Sequence, residues 1–571
     1  MPPTADYTDC RSQRLLWEGA MPPTSLPLWP LPCRRDHPTF ADTRAPPLSN
    51  APEQHEHIAA HDAHYRAEPD LIDKGLQHDS MGLVGSIAMA VSCVAPVYAL
   101  TAALGPTVRE VGVQLPAVFL AGFIPMLLTA FAYRSLNRVA PDAGTSFTWT
   151  VKAFGPWVGW MCGWGLIVAN VIVLSNTAGV AATYFYLFLS ELFGNPGIAD
   201  FGDQKLVNVA TTTVFVALAT WVSWKGMSTA KRITYALVGF QMVVLFLFCA
   251  LALAKASSGT VPTAIAFDWN WLNPFAIPSA AALAAGLSLS IFIYWGWDVS
   301  LAANEETSGS DRTPAVAAIA SIISLAATYL LVAVATQSYA GVGETGIGLR
   351  SDATQDNVFA ALAAPIMGDG LAILLFGAVL ASAASSLQTT FIPAARTLLA
   401  MGVYRAMPAF FADIHPAHKV PGNATLTAGV LTAGFYGVMT VLSENVLGDT
   451  VESLGLMICF YYGLTAFACV WYFRHEYRLG LAPLITKGLM PLLGGGMLAA
   501  MFLQLSASSF DPAYGSGGSI MGVGTVFAIG VGILVLGGAF MFACYLRDPA
   551  FFRGQTLRQD TPALVVEEPV G

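Results

Sequence analysis

The sequence predicts an all-α integral membrane protein with about twelve transmembrane helices. Three observations lead there. Of 571 residues, 55% are apolar and only 11% are Asp, Glu, Lys or Arg, whereas soluble domains carry charge on roughly a quarter of their positions. From residue 80 onward, apolar runs long enough to cross a ~30 Å hydrocarbon core follow one another at short intervals. When those runs are threaded back and forth, 23 of the 27 Lys and Arg residues fall on one side. Mean hydropathy is +0.59. The net charge of −9 gives no basic face for a nucleic acid. No GxxxxGK[ST] phosphate loop occurs, which argues against an ATP-driven pump. The 8 cysteines form no CxxC pair, and most lie inside apolar runs, so neither a disulfide framework nor a metal site is expected.

Residues 1–79 hold 12 acidic and 7 basic residues, 12 prolines and 6 of the 9 histidines. Such a segment buries too little apolar surface to offset chain entropy, so a disordered tail is expected. His57, His61 and His64 share a helical face but read as a solvated tail cluster rather than a metal site. The membrane domain then covers 80–546, and 547–571 form a second tail.

The apolar segments are 81–103, 115–134, 156–190, 206–224, 230–254, 276–303, 313–341, 370–403, 423–442, 452–473, 488–506 and 520–546. They show no alternation of period two, so they are helices, the only open-ended backbone that satisfies itself in lipid. With twelve spans, the basic residues of the tail, of the even-to-odd loops and of the carboxyl terminus all lie on the same face. The positive-inside rule makes that face cytoplasmic, with both termini inside. Only Arg109, Lys205, Lys255 and Arg350 fall outside.

Two segments are interrupted. In the first, Ser92, Cys93, Val94 and Ala95 precede Pro96, which removes a backbone donor and clashes with the turn before it. In the sixth, Tyr294, Trp295, Gly296, Trp297 and Asp298 mark a second break. Segments one and six are each the first of five, and paired broken helices at matching positions point to a midplane binding site. Asp298 is the only Asp, Glu, Lys or Arg between 80 and 546 well inside a span. A carboxylate there is costly and marks function unless it merely caps the break.

The stretch PDAGTSFTWTVKAFGPWVGWMCGW, the segment FIYWGWDVSLAANEETSGSDRTP and the block ARTLLAMGVYRAMPAFFADIHP resemble, in order, signatures of the amino acid–polyamine–organocation permeases. The resemblance spans about 80–475. It implies a leucine-transporter-like fold: inverted repeats of five helices at about 80–255 and 275–473, with two further helices at 488–546. It further implies secondary active transport of an amino acid across the plasma membrane, coupled to a proton or sodium, without a cofactor. From its composition and the basic-residue bias, the tail 1–79 is expected to be dispensable for transport. By that resemblance the carboxylate-binding break falls on Ser92, Cys93, Val94 and Ala95. Phe292 takes the gating aromatic's place, beside Tyr294, and Gly296 takes the unwound glycine's. Asp298 takes the position implicated in proton response.

The first break lacks the family's usual Gly-Ser-Gly pattern, and segment five lacks the intramembrane lysine of some proton-coupled relatives. Ser382, Ser385 and Ser386 have the spacing to put oxygens on one helix face, where sodium-coupled relatives hold an ion. Small residues of this kind also serve close packing. Asn170 and Asn176 either reach the same cavity or bond across helices. With a single deep carboxylate, a neutral or weakly polar amino acid is favoured over a polyamine. Exchange, other organic cations and a non-transporting sensor on the same fold are the alternatives. A facilitator-type carrier lacks its basic G-x-x-x-D-R-x-G loop here, and a channel would need a repeated filter or a charged ring.

Overall fold

The computed structural model describes residues 74–77 and 80–561 apart from 356, 443–445 and 516; His57, His61 and His64 lie outside them. Among the described residues, ten helices are long and apolar enough to cross a membrane. The first is the run Leu83–Val139, which breaks into α1 (Leu83–Val94), α2 (Pro96–Val111) and, after a tight turn at Gly112–Gln114, α3 (Leu115–Val139). A short α4 (Ser146–Phe154) leads into the 38-residue α5 (Pro156–Phe193). Then come α6 (Lys205–Trp224) and α7 (Met227–Ser257). The sixth apolar segment is split into α8 (Ala280–Ile293) and a single turn, α9 (Val299–Ala302). After it follow α10 (Thr313–Ala340), α11 (Val358–Met367), α12 (Asp369–Val403) and α13 (Gly422–Leu442). The last are α14 (Leu447–Tyr472), α15 (Leu481–Ser509) and α16 (Thr525–Arg547), with a two-residue hairpin, Ser519–Ile520 against Val523–Gly524, before α16.

Sequence decides which helices are central. The apolar window of α5 is 83% buried, and that of α6 only 17%. Helix α5 carries Gly159, Gly163, Gly165 and Gly179 along faces that meet α4, α13 and α14, so backbones approach closely. Helices α6, α13 and α16 instead turn large side chains outward, among them Leu206, Val441 and Val535. Apolar groups so exposed, on elements this long, fit hydrocarbon rather than water.

Both ends of the described chain engage the helical unit. Lys74 and Leu76, which composition assigns to the tail, are buried, so the tail's last residues belong with the packed domain. Beyond α16, Phe551, Phe552 and Leu557 are also buried. Phe551 stacks on Phe147 of α4 at 5.7 Å, Thr556 donates to the Tyr404 carbonyl, and Lys152 donates to that of Thr561. The segment after 547 is therefore not a loose tail over its described part.

Candidate functional site

The first break is made by one residue. Ala95 adopts a left-handed conformation (φ 51°, ψ 69°), ending α1 and starting α2, with Pro96 at the first helical position. An alanine pays for φ > 0, so the surroundings must hold it there. Its N–H still donates to Val91. Ser92, Cys93 and Val94 lie in the last turn of α1, and their amides complete helical bonds. The first turn of α2 lies one step on, where a helix N-terminus favours an anion. Tyr98 N–H reaches Ser382 Oγ at 3.2 Å. The carbonyls at the end of α1 are freed instead, and Cys93 C=O accepts from Ser386 Oγ at 2.8 Å. The amides of Ser92–Ala95, expected to meet a bound carboxylate, are engaged in helical bonds here.

The second break runs from Tyr294 to Asp298. Gly296 has φ +104°, and a Cβ there would lie 3.1–3.3 Å from Cys93 and Val94. The two breaks thus touch, and only glycine allows both the conformation and the contact. Tyr329 OH donates to the freed Ile293 carbonyl at 2.7 Å. Asp298 is 5% exposed, and its Oδ1 accepts from Tyr462 OH at 2.8 Å. No basic side chain pairs with it among the described residues. Trp297 stacks on Tyr462 at 5.3 Å, and Tyr133 sits edge-on to both at 4.9 and 5.5 Å. Asp298 therefore lies in an aromatic box with one hydroxyl donor.

Phe292 is buried and packs edge-on to Tyr98 at 6.3 Å, on the other side of the breaks. Tyr294 points away, between Phe123 and Tyr329, and its hydroxyl has no partner among the described residues. On α12, Ser382, Ser385 and Ser386 face α1, α2 and α7 and are fully or nearly fully buried. Ser385 Oγ donates to the Ser382 carbonyl at 3.0 Å and accepts from Gln241 of α7 at 3.3 Å. The serines and the Cys93 carbonyl so gather oxygens of the kind a hard cation takes. Asn170 does not join them: its Nδ2 donates to Leu166 in its own helix. Asn176 bonds across helices to Thr450 at 2.6 Å.

Sequence reasoning missed Tyr462, Gln241, Thr389 and Thr390. Thr389 Oγ1 meets Ser92 Oγ and Thr390 Oγ1 meets Cys93 Sγ, each at 3.4 Å. A hydroxyl in an apolar run carries no signal of its own. The i, i+3, i+4 reading of the serines, extended by one turn, would have found both threonines.

A charged cluster closes one end of the bundle. Lys74 Nζ pairs with Asp142 at 2.9 Å and with Glu305 at 2.5 Å. Asp142 also accepts from Tyr404 and Thr148, each at 2.7 Å. Arg396 of α12 holds Glu306 through two bonds of 2.8 and 2.6 Å. Burial pushes Asp142 up, but the Lys74 charge and these hydroxyls outweigh it and hold the carboxyl below its ordinary value. Burial likewise pushes the Lys74 ammonium down, and Asp142 with Glu305 outweighs it, holding Lys74 above its ordinary value. A small cavity is lined by Met81, Gly85, Lys231, Gln388 and Thr389, the last of which meets Ser92.

The sequence profile described as amino acid permease matches residues 81–534. The chain is 22% identical to the methylthioribose transporter of Bacillus subtilis, covering 62% of this chain and 73% of that one. It is 24% identical to the branched-chain amino acid permease BcaP of the same organism, covering 58% and 69%. The low-affinity putrescine importer PlaP of Escherichia coli is 21% identical, covering 69% and 82%. Among solved structures, MhsT in complex with L-phenylalanine superposes with a TM-score of 0.56 at 16% identity, covering 75% of this chain and 99% of that one.

Proposed function

The chain belongs to the amino acid permease family, and from that premise we propose that it imports a neutral or weakly polar amino acid, driven by protons through Asp298. It is a multi-pass membrane transporter and not an enzyme. In our reading it has twelve spans, as two inverted sets of five plus two, with both termini in the cytoplasm and the site in the plasma membrane. The basic-residue asymmetry and the two touching breaks support that reading.

The observation that carries the proposal is the isolation of Asp298: a buried carboxylate with one hydroxyl donor and no cation among the described residues. A deep carboxylate without a partner is stable only when neutral, so it gains a proton from one side and releases it toward the other as its exposure changes. The substrate carboxylate takes the first-turn amides of α2, and the substrate ammonium takes freed carbonyls of the breaks. One deep carboxylate suits a substrate with one ammonium better than a diamine.

A second reading is favoured by the oxygens of Ser382, Ser385, Ser386 and Cys93: sodium binds there, and Asp298 props up the second break. Uptake into proteoliposomes separates the two. With wild type, Asp298→Asn and Ser386→Ala, proton coupling predicts that Asp298→Asn keeps exchange but loses pH-driven accumulation. Wild-type uptake that needs sodium and ignores pH gives the site to the serines. A protein that binds an amino acid panel without moving any of it is a sensor.

A further inference from the structure

Helices α6 and α13 enclose a groove of about 530 Å³ that opens to the outside of the bundle. Its lining includes Val216, Ala217, Trp221, Leu426, Gly429 and Val430. Gly429 sets its depth, since a Cβ there would lie 2.4 Å from Thr220 Oγ1. The two threonine hydroxyls of the lining are turned back into their own helix: Thr220 donates to Val216 and Thr213 to Val209. The groove therefore offers only hydrocarbon. From Thr213 to Trp224 it runs eleven residues, roughly 16 Å of helix, which is about half of a ~30 Å core.

At the Trp224 end the chemistry changes. Trp224 packs on His415 and His418 at 4.7 and 5.1 Å, and a Cβ on Gly226 would lie 3.2 Å from the His418 carbonyl. This brings the backbone of Lys225 against that of His418 and Lys419. Both lysines are exposed, and Lys225 Nζ lies 5.6 Å over the Trp221 ring. The acid of the same loop, Asp413, is met by Asn423 at 3.3 Å.

We propose that this groove is a binding site for one acyl chain of an anionic phospholipid, whose phosphate rests on Lys225 and Lys419. One leaflet's depth of hydrocarbon ends in a basic corner, which matches a chain joined to a negative headgroup. A second copy of the protein fits less well. Two-fold pairing about the membrane normal would set one basic corner against another.

The test uses the full-length protein in phosphatidylcholine vesicles, titrated with phosphatidylglycerol or phosphatidylcholine carrying brominated chains. The fluorescence lost in Trp221→Phe reports Trp221, which is 57% exposed. Brominated phosphatidylglycerol should quench that component at a lower mole fraction than brominated phosphatidylcholine. Lys225→Gln and Lys419→Gln should each cut the preference by about fivefold. Ala217→Phe, at an exposed position, should remove it by filling the groove. Equal quenching by both lipids overturns the proposal. So does shielding from both, with Ala217→Cys crosslinking to its counterpart in a second copy. Phosphatidylglycerol that co-purifies with wild type in detergent but not with Ala217→Phe checks the result without fluorescence.

Discussion

The two broken helices and the charged end bury carboxylates under opposite rules. At the end, Asp142, Glu305 and Glu306 are each met by a cation, Lys74 or Arg396. At the centre, Asp298 has a tyrosine hydroxyl and aromatic faces. Charge that stays fixed is paired. Under the proposed coupling, Asp298 is left with a neutral partner because a cation would hold the proton off in every state. The first arrangement is a clamp and, on that proposal, the second a switch.

The comparison predicts its own failures. Arg396→Ala leaves Glu306 buried and uncompensated and should cost about 3–5 kcal/mol of stability, read as a large fall in Tm in detergent. A small effect would mean that the end is not a clamp. Gly296→Ala should cost less, about 1–3 kcal/mol of local strain, because its Cβ meets Cys93 and Val94 and its φ is +104°. That strain falls on the centre, so uptake should drop by more than Tm does. Equal losses of both would make the breaks merely structural.

The smallest expected effect is that of pH on the clamp. Asp142 is held below its ordinary value, so its contribution is complete above that value, near 3.8, and fades as pH falls through the folded one. Lys74 is held above its own, so its contribution is complete below 10.5 and fades as pH rises through the folded one. The Lys74–Asp142 pair should therefore add no slope to Tm across neutral pH and should lower it at both extremes. Lys74→Met should remove the alkaline loss and weaken the acid one. A slope near neutrality that Lys74→Met abolishes would place a switch at this end instead.

Much of this was legible in the sequence because lipid imposes strong demands. Twenty apolar residues in a row have few alternatives, and Pro96, Gly296 and Asp298 are conspicuous in such runs. The first break was placed at Ser92–Ala95, but that Ala95 takes the left-handed conformation was not legible. Alanine favours helices everywhere, and Ala95 is left-handed only because Pro96 and the packed surroundings require it. Tyr462 was invisible for another reason: an aromatic within an apolar span looks like filling until its hydroxyl is seen against Asp298. Lys74 was hidden by its neighbours, whose composition is that of a solvated tail.

The docking of the segment after α16 sets an order of events during synthesis. Lys152 and Thr561 are 409 positions apart, and Phe147 waits for Phe551 across nearly as long a stretch. Every span between them enters the bilayer first. Throughout that time the apolar side of α4 that receives Phe551 is open, so this end of the bundle matures last. A chain stalled before residue 551 would carry its helices in place but one of its closing surfaces bare.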